Sequence, residues 1–169
     1  MGARLGHAAR AGLVAALACL AACAAPDLPR AVEGGGAVPA ARVPAEAATL
    51  RIAGLSGLPG NAGDRIRDHF VDAAAARGLN VVLRQDVPVS YRLFGQLSAV
   101  GDVTGVTVAY VFDVLDANDV LVERVHGFET APGTGGDPWS GVPDATLRLV
   151  AVRSVEAVNA WLRRPIATP

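Results

Sequence analysis

Several groups of residues in this 169-residue chain are of types that could do chemistry. Cys19 and Cys23 are its two cysteines, and such a pair suggests a disulfide or a metal site. Beyond residue 22 the chain has two histidines, His69 and His126, either of which could serve as a base or a ligand. A nucleophilic triad needs a positioned histidine, but no G-x-S-x-G motif accompanies these two. They fall on separate elements without a supporting cluster of acids, which makes them weak metal ligands. Asp113, Asp116, Asn118 and Asp119 crowd together as calcium ligands do. The EF-hand pattern breaks at Val120, however, and a solvated hairpin turn explains these residues better. The loop from Gly54 to Gly63 spaces its glycines every third residue. The dinucleotide fingerprint needs G-x-G-x-x-G, and the phosphate loop needs a lysine, which this chain lacks altogether. These residues assemble no catalytic constellation, so the expectation is a protein without enzymatic activity and without a metal or other cofactor.

The flanks of the cysteines explain them differently. Residues 1–10 carry Arg4 and Arg10 and no acid, and residues 11–22 are wholly apolar. That run is too short to span a bilayer, which takes about 20 residues. A basic start, a short apolar stretch and small residues at its end describe a secretory signal over residues 1–22.

Leu20-Ala21-Ala22-Cys23 resembles the lipobox of bacterial lipoproteins. The resemblance implies a diacylglycerol on the Cys23 thiol, cleavage before it, and acylation of the new amino terminus. Cys19 would leave with the signal. Cys23 would become the anchor, so the mature chain could hold neither a disulfide nor a cysteine metal site. Each buried CH2 of an acyl chain contributes about 0.8 kcal/mol, and two chains hold a protein on a membrane stably. The implied location is the cell envelope, facing the periplasm. Ala24, not Asp, follows the cysteine, which in enteric bacteria implies sorting to the outer membrane.

Once residues 1–22 are removed, thirteen arginines face sixteen acids, a net charge of −3. That excludes a general nucleic-acid binder, which shows a basic patch. It also argues against a polybasic membrane contact.

Three segments organise the remaining residues. Residues 23–47 hold the lipidated cysteine, four prolines and a Gly34-Gly35-Gly36 run, and read as a flexible tether. A folded domain over 48–164 follows, and 165–169 form a disordered tail. Thr49 to Gly54 alternates as a strand, and Asp64 to Arg77 carries a helical stripe of Ile66, Phe70, Ala73 and Ala74 closed by Gly78. Strands are expected over Asn80–Arg84, Val89–Ser98, Gly105–Leu115 and Val120–Glu129. A closing helix from Pro143 to Leu162 repeats Leu147, Val150, Ala151, Val155, Val158 and Leu162 at helical spacing. The expected fold is α+β, a single small domain in the order β-α-β-β-β-β-α, its sheet mostly antiparallel with both helices on one face.

One loop is less bland. Asp137-Pro138-Trp139-Ser140 precedes the closing helix, where Trp139 either anchors a partner or folds back over the core. The segment "SYRLFGQL...VTVAYVFDVLDANDVLVERVHGFE" and the element order resemble small periplasmic α+β domains, of the kind in lipopolysaccharide-assembly lipoproteins and the amino-terminal domain of the TolB translocation protein. The chain also resembles alphaproteobacterial envelope lipoproteins in which a D-P-W loop precedes the last helix. The functional expectation is a membrane-anchored, non-enzymatic protein that binds or scaffolds an envelope protein, with Asp137, Pro138, Trp139 and the 54–63 loop as contacts. A lipid or small-molecule carrier and a hydrolase are the alternatives.

Overall fold

The computed structural model describes residues 38–133 and 135–165. The expected signal segment and lipobox with Cys23, the first part of the expected tether and residues 166–169 of the expected tail lie outside the described residues. Element order follows the expectation. Strand β1 (Thr49–Ser56) leads to helix α1 (Ala62–Ala75), then come β2 (Asn80–Val81), β3 (Tyr91–Gly101), β4 (Val106–Leu115) and β5 (Leu121–Ala131). A one-turn 3₁₀ helix (Pro138–Gly141) precedes α2 (Asp144–Leu162).

Alternation places the layers. Tyr91, Leu93 and Leu97 of β3 and Val106, Val108, Tyr110, Phe112 and Val114 of β4 are all buried on one sheet face. Phe70 of α1 packs on Phe112, ring centroids 6.3 Å apart, and Trp161 of α2 meets Tyr91 edge-on at 5.0 Å. Both helices therefore cover the same face. The α1 stripe is buried as its spacing requires, and the helix ends on Gly78 at φ +69, where the Leu79 N–H reaches back to the carbonyl of Ala74.

The sheet itself corrects the expectation. It is mixed, in the order β2-β1-β3-β4-β5. β1 runs parallel to both β2 and β3, while β3–β4 and β4–β5 are antiparallel. The reason lies in residues 82–90. They leave the sheet after two paired residues of β2 and cross beneath β1 to start β3 beside Leu50. Arg51, on the face away from the helices, holds this crossing through the carbonyls of Gln85 (3.2 Å) and Val87. That contact buries Arg51 to 8% exposure. Thr49 and Ser90 bond reciprocally at the same place.

Residues 38–47, placed in the flexible tether by composition, are packed. Ala40 N donates to Asp116 at 2.6 Å, Val43 N to the Tyr91 hydroxyl at 2.9 Å, and the Val38 carbonyl accepts from Asn118. Ala45 and Ala48 are buried. Small side chains that read as linker fit closely here, and the partners lie as many as 76 residues away, beyond the reach of local composition.

Candidate functional site

The two loops singled out in sequence come together. After β1 the chain turns at Gly57, φ +78, where a Cβ would lie 1.9 Å from the Leu97 carbonyl oxygen, so only glycine fits. The loop then feeds α1, with Asp64 N and Arg65 N both donating to the Asn61 carbonyl. From the other side, Asp137 caps the 3₁₀ turn by accepting from Trp139 N at 3.1 Å, and the Ser140 hydroxyl donates to the Asp137 carbonyl at 2.6 Å. Between these loops lies a cleft of about 260 Å³, lined by Pro59, Asn61, Arg65, Asp137, Trp139 and Leu147 among others. Trp139 is half-buried and packs on the edge of the core. It thus forms one wall of the cleft while closing the interior behind it.

Charge gathers at one side of this cleft. Asp144, at the start of α2, lies 2.9 Å from His69 Nε2 and 3.7 Å from Arg65 Nη1. The hydrogen bond with His69 holds the Asp144 carboxyl below the usual range; burial opposes it, and Arg65 and Arg148 add to the lowering. Chemically this is a tie between the two helices, and it engages the His69 nitrogen that a nucleophile would need. His126 stands on β5 opposite Val111, on the sheet face away from the helices, so the two histidines share no site.

The acids of the β4–β5 turn are each engaged. Arg124 grips Asp113 through Nε and Nη2 (2.5 and 2.8 Å), Asp119 pairs with Arg92, and Asp116 accepts three backbone N–H groups. Among the described residues no group of three or more His, Cys, Asp or Glu side chains could hold a metal ion. No helix among them is long and apolar enough to cross a membrane.

A second surface was not singled out in sequence. On the open sheet face two adjoining grooves of about 340 and 330 Å³ share Ser56, Gln96 and Val111. Phe94, 41% exposed, borders the first, and Phe128 on β5 is 69% exposed on the same face. The signal was present, because both phenylalanines occupy the positions that alternation assigns to solvent.

No family model matches the chain, and no curated protein does. Among solved structures it is similar to the PelC dodecamer from Paraburkholderia phytofirmans, at 19% identity, covering 76% of this chain and 96% of that one, with a TM-score of 0.47. Lipoprotein GNA1162 from Neisseria meningitidis matches at 11% identity over 70% of this chain and 98% of that one, TM-score 0.41. Protein XCC0632 from Xanthomonas campestris matches at 14% over 75% and 87%, TM-score 0.39. These are distant likenesses, and no residue role is carried over from them.

Of the residues expected to matter, Asp137, Pro138 and Trp139 lie on or beside the cleft, while Cys23 is outside the described residues. Asn61 belongs to the 54–63 loop named as a contact, whereas Arg65 was missed. Arg65 reads as an ordinary residue of a helix start, and only the packing of α1 against α2 brings it to the cleft that Trp139 walls.

Proposed function

We propose that this chain is a lipid-anchored protein of the bacterial cell envelope that binds another envelope protein and performs no catalysis. The anchor rests on Leu20-Ala21-Ala22-Cys23, and outer-membrane sorting rests on Ala24. The observation that carries the binding role is the convergence of the β1–α1 loop and the Asp137-Pro138-Trp139 turn on one cleft with a half-buried tryptophan in its wall. A tryptophan held in this way gives a large rigid contact at little entropic cost, as interface anchors do.

Trp139→Ala tests it. With Trp139 half-buried, its truncation costs about 1–2 kcal/mol of stability, less than for a fully buried ring, so the domain stays folded. Crosslinking in intact cells should then lose the main adduct by roughly tenfold or more, the effect expected of an anchor worth at least about 1.4 kcal/mol. An unchanged adduct pattern refutes the cleft. Mass spectrometry of the native amino terminus tests the anchor separately: an uncleaved or unacylated terminus refutes it.

The carrier reading retains one observation, the apolar trough bordered by Phe94 on the open sheet face. The space between sheet and helices is filled by Leu50, Ile66, Phe70, Leu93, Phe112 and Val155, all fully buried. A carried ligand would therefore lie on the open face, and Phe94→Asp would abolish its uptake while leaving the Trp139 crosslink intact.

A further inference from the structure

The last turn of α2 meets residues 42–46. They frame a cavity of about 340 Å³ whose walls include Arg42, Glu46, Arg163 and Arg164. The three guanidiniums are held differently. Arg163 Nε donates to Asn159 at 2.9 Å, and Arg164 reaches Glu123 at 3.5 Å. Arg42 lies over the Trp161 ring, 4.8 Å from its centroid, and uses only Nη1, on the Arg164 carbonyl at 3.4 Å. Its Nε and Nη2 are buried and have no hydrogen-bond partner among the described residues.

Those two nitrogens form one edge of the planar guanidinium, the edge that takes an oxyanion through two parallel bonds. The protein uses the same edge elsewhere: Arg124 grips both oxygens of Asp113 with Nε and Nη2. At Arg42 the fork is buried without an acceptor among the described residues, beside a cavity whose walls include two more arginines. Buried donors of this kind call for a partner. Against three arginines, the one acid, Glu46, and the carbonyl end of α2 leave the cavity net positive.

We infer that this cavity binds a phosphate-type oxyanion, and that the phosphodiester head groups of the anchoring bilayer supply it. The bilayer clause rests on the lipid-anchor reading. Fourteen residues lie between Cys23 and Val38, so the two are at most about 50 Å apart at 3.3–3.6 Å per residue. Arg42 follows four residues later, so the domain's basic pole stays within reach of the lipid surface. A local cluster of this kind operates despite the net negative charge of the chain, because screening confines its field to about 8–10 Å.

The test uses the full mature chain carrying Cys23→Ser, so that no acyl chain contributes. Sedimentation with phosphatidylcholine vesicles, with and without phosphatidylglycerol, reports head-group binding; inorganic phosphate titrated against the arginine Nε–H NMR signals reports the anion alone. The expected result is binding to phosphatidylglycerol vesicles only, about thirtyfold weaker in Arg163→Ala/Arg164→Ala, at roughly fivefold per arginine, together with a phosphate-dependent shift of the Arg42 signal. Both substituted residues are exposed, so the fold survives even if Arg42→Gln, which loses the Trp161 stack, does not. Phosphate shifts without vesicle binding keep the anion site and overturn its bilayer source. No phosphate shift, or vesicle binding that the double variant leaves unchanged, overturns the site. An unacylated native terminus would refute the anchor while leaving these results standing.

Discussion

Phe112→Ala should destabilise the domain by about 3–5 kcal/mol, lowering its melting temperature by roughly 10–20 °C. Phe112 is fully buried at the centre of β4, facing Phe70 of α1 and Tyr110, with centroids 6.3 and 6.2 Å away. It also overhangs Gly95 on β3, where a Cβ would approach its ring to 2.6 Å. The aromatic ring occupies space that the neighbouring strand leaves open, and neither the strands nor α1 can close in fully when it is removed. Total stabilities of only about 5–15 kcal/mol make this a large fraction. Thermal denaturation followed by circular dichroism measures it. Gly95→Ala should be harmful alone, because it collides with Phe112 and Leu55, yet less harmful in the Phe112→Ala background. Strict additivity would show that the two positions do not share this space.

That pair also marks what the sequence could reveal. Val106 to Val114 alternates so regularly that its buried face was legible at once, as was the stripe of α1 with its Gly78 stop. Each is a local period imposed by one layer of apolar contact. Sheet direction is not local. It turns on residues 82–90 crossing beneath β1, held by Arg51, a residue that reads as solvent-facing and is instead buried under two loop carbonyls. Composition also misread residues 38–47, since alanine and proline look like linker until their backbone groups find Asp116, Asn118 and Tyr91.

The candidate site divides the same way. The glycine loop and the Asp137-Pro138-Trp139 turn stood out separately through turn chemistry and an unusual tryptophan. Their meeting depends on the packing of α1 on α2, together with the His69–Asp144 tie, and no single-chain pattern encodes it. Arg42 was less visible still: its significance lies in two nitrogens without acceptors, a property that only coordinates express. Cys23 is the reverse case: the expectation for it rests on four residues of sequence, and it lies outside the described residues.

Asp116→Asn should cost about 2–3 kcal/mol, the penalty for leaving a buried N–H without its acceptor and weakening two charge-assisted bonds. Asp116 is 1% exposed. One oxygen accepts Asn118 N and Val120 N at 2.8 and 3.0 Å, and the other accepts Ala40 N at 2.6 Å. An asparagine keeps a single oxygen. Turned toward the hairpin it serves two donors and sets its NH2 against Ala40 N–H; turned the other way it abandons both. The first arrangement prevails, so the turn should survive while residues 38–43 detach. Hydrogen exchange at the Ala40 amide should rise sharply, and an unchanged rate would show that Asp116 does not hold the segment. Burial works to raise the Asp116 carboxyl, but the N–H donors of Ala40, Val120 and Asn118 and the nearby Arg92 outweigh it, and its pKa lies below the ordinary value. A carboxyl lowered on folding contributes stability that is complete above its unfolded pKa of about 4 and lost as pH falls through the folded value. The gap between wild type and Asp116→Asn should therefore be full at neutral pH and narrow only in acid below about pH 4. Arg42 lies two residues beyond Ala40, so the variant should also loosen its stack on Trp161 and weaken phosphate binding without touching any arginine.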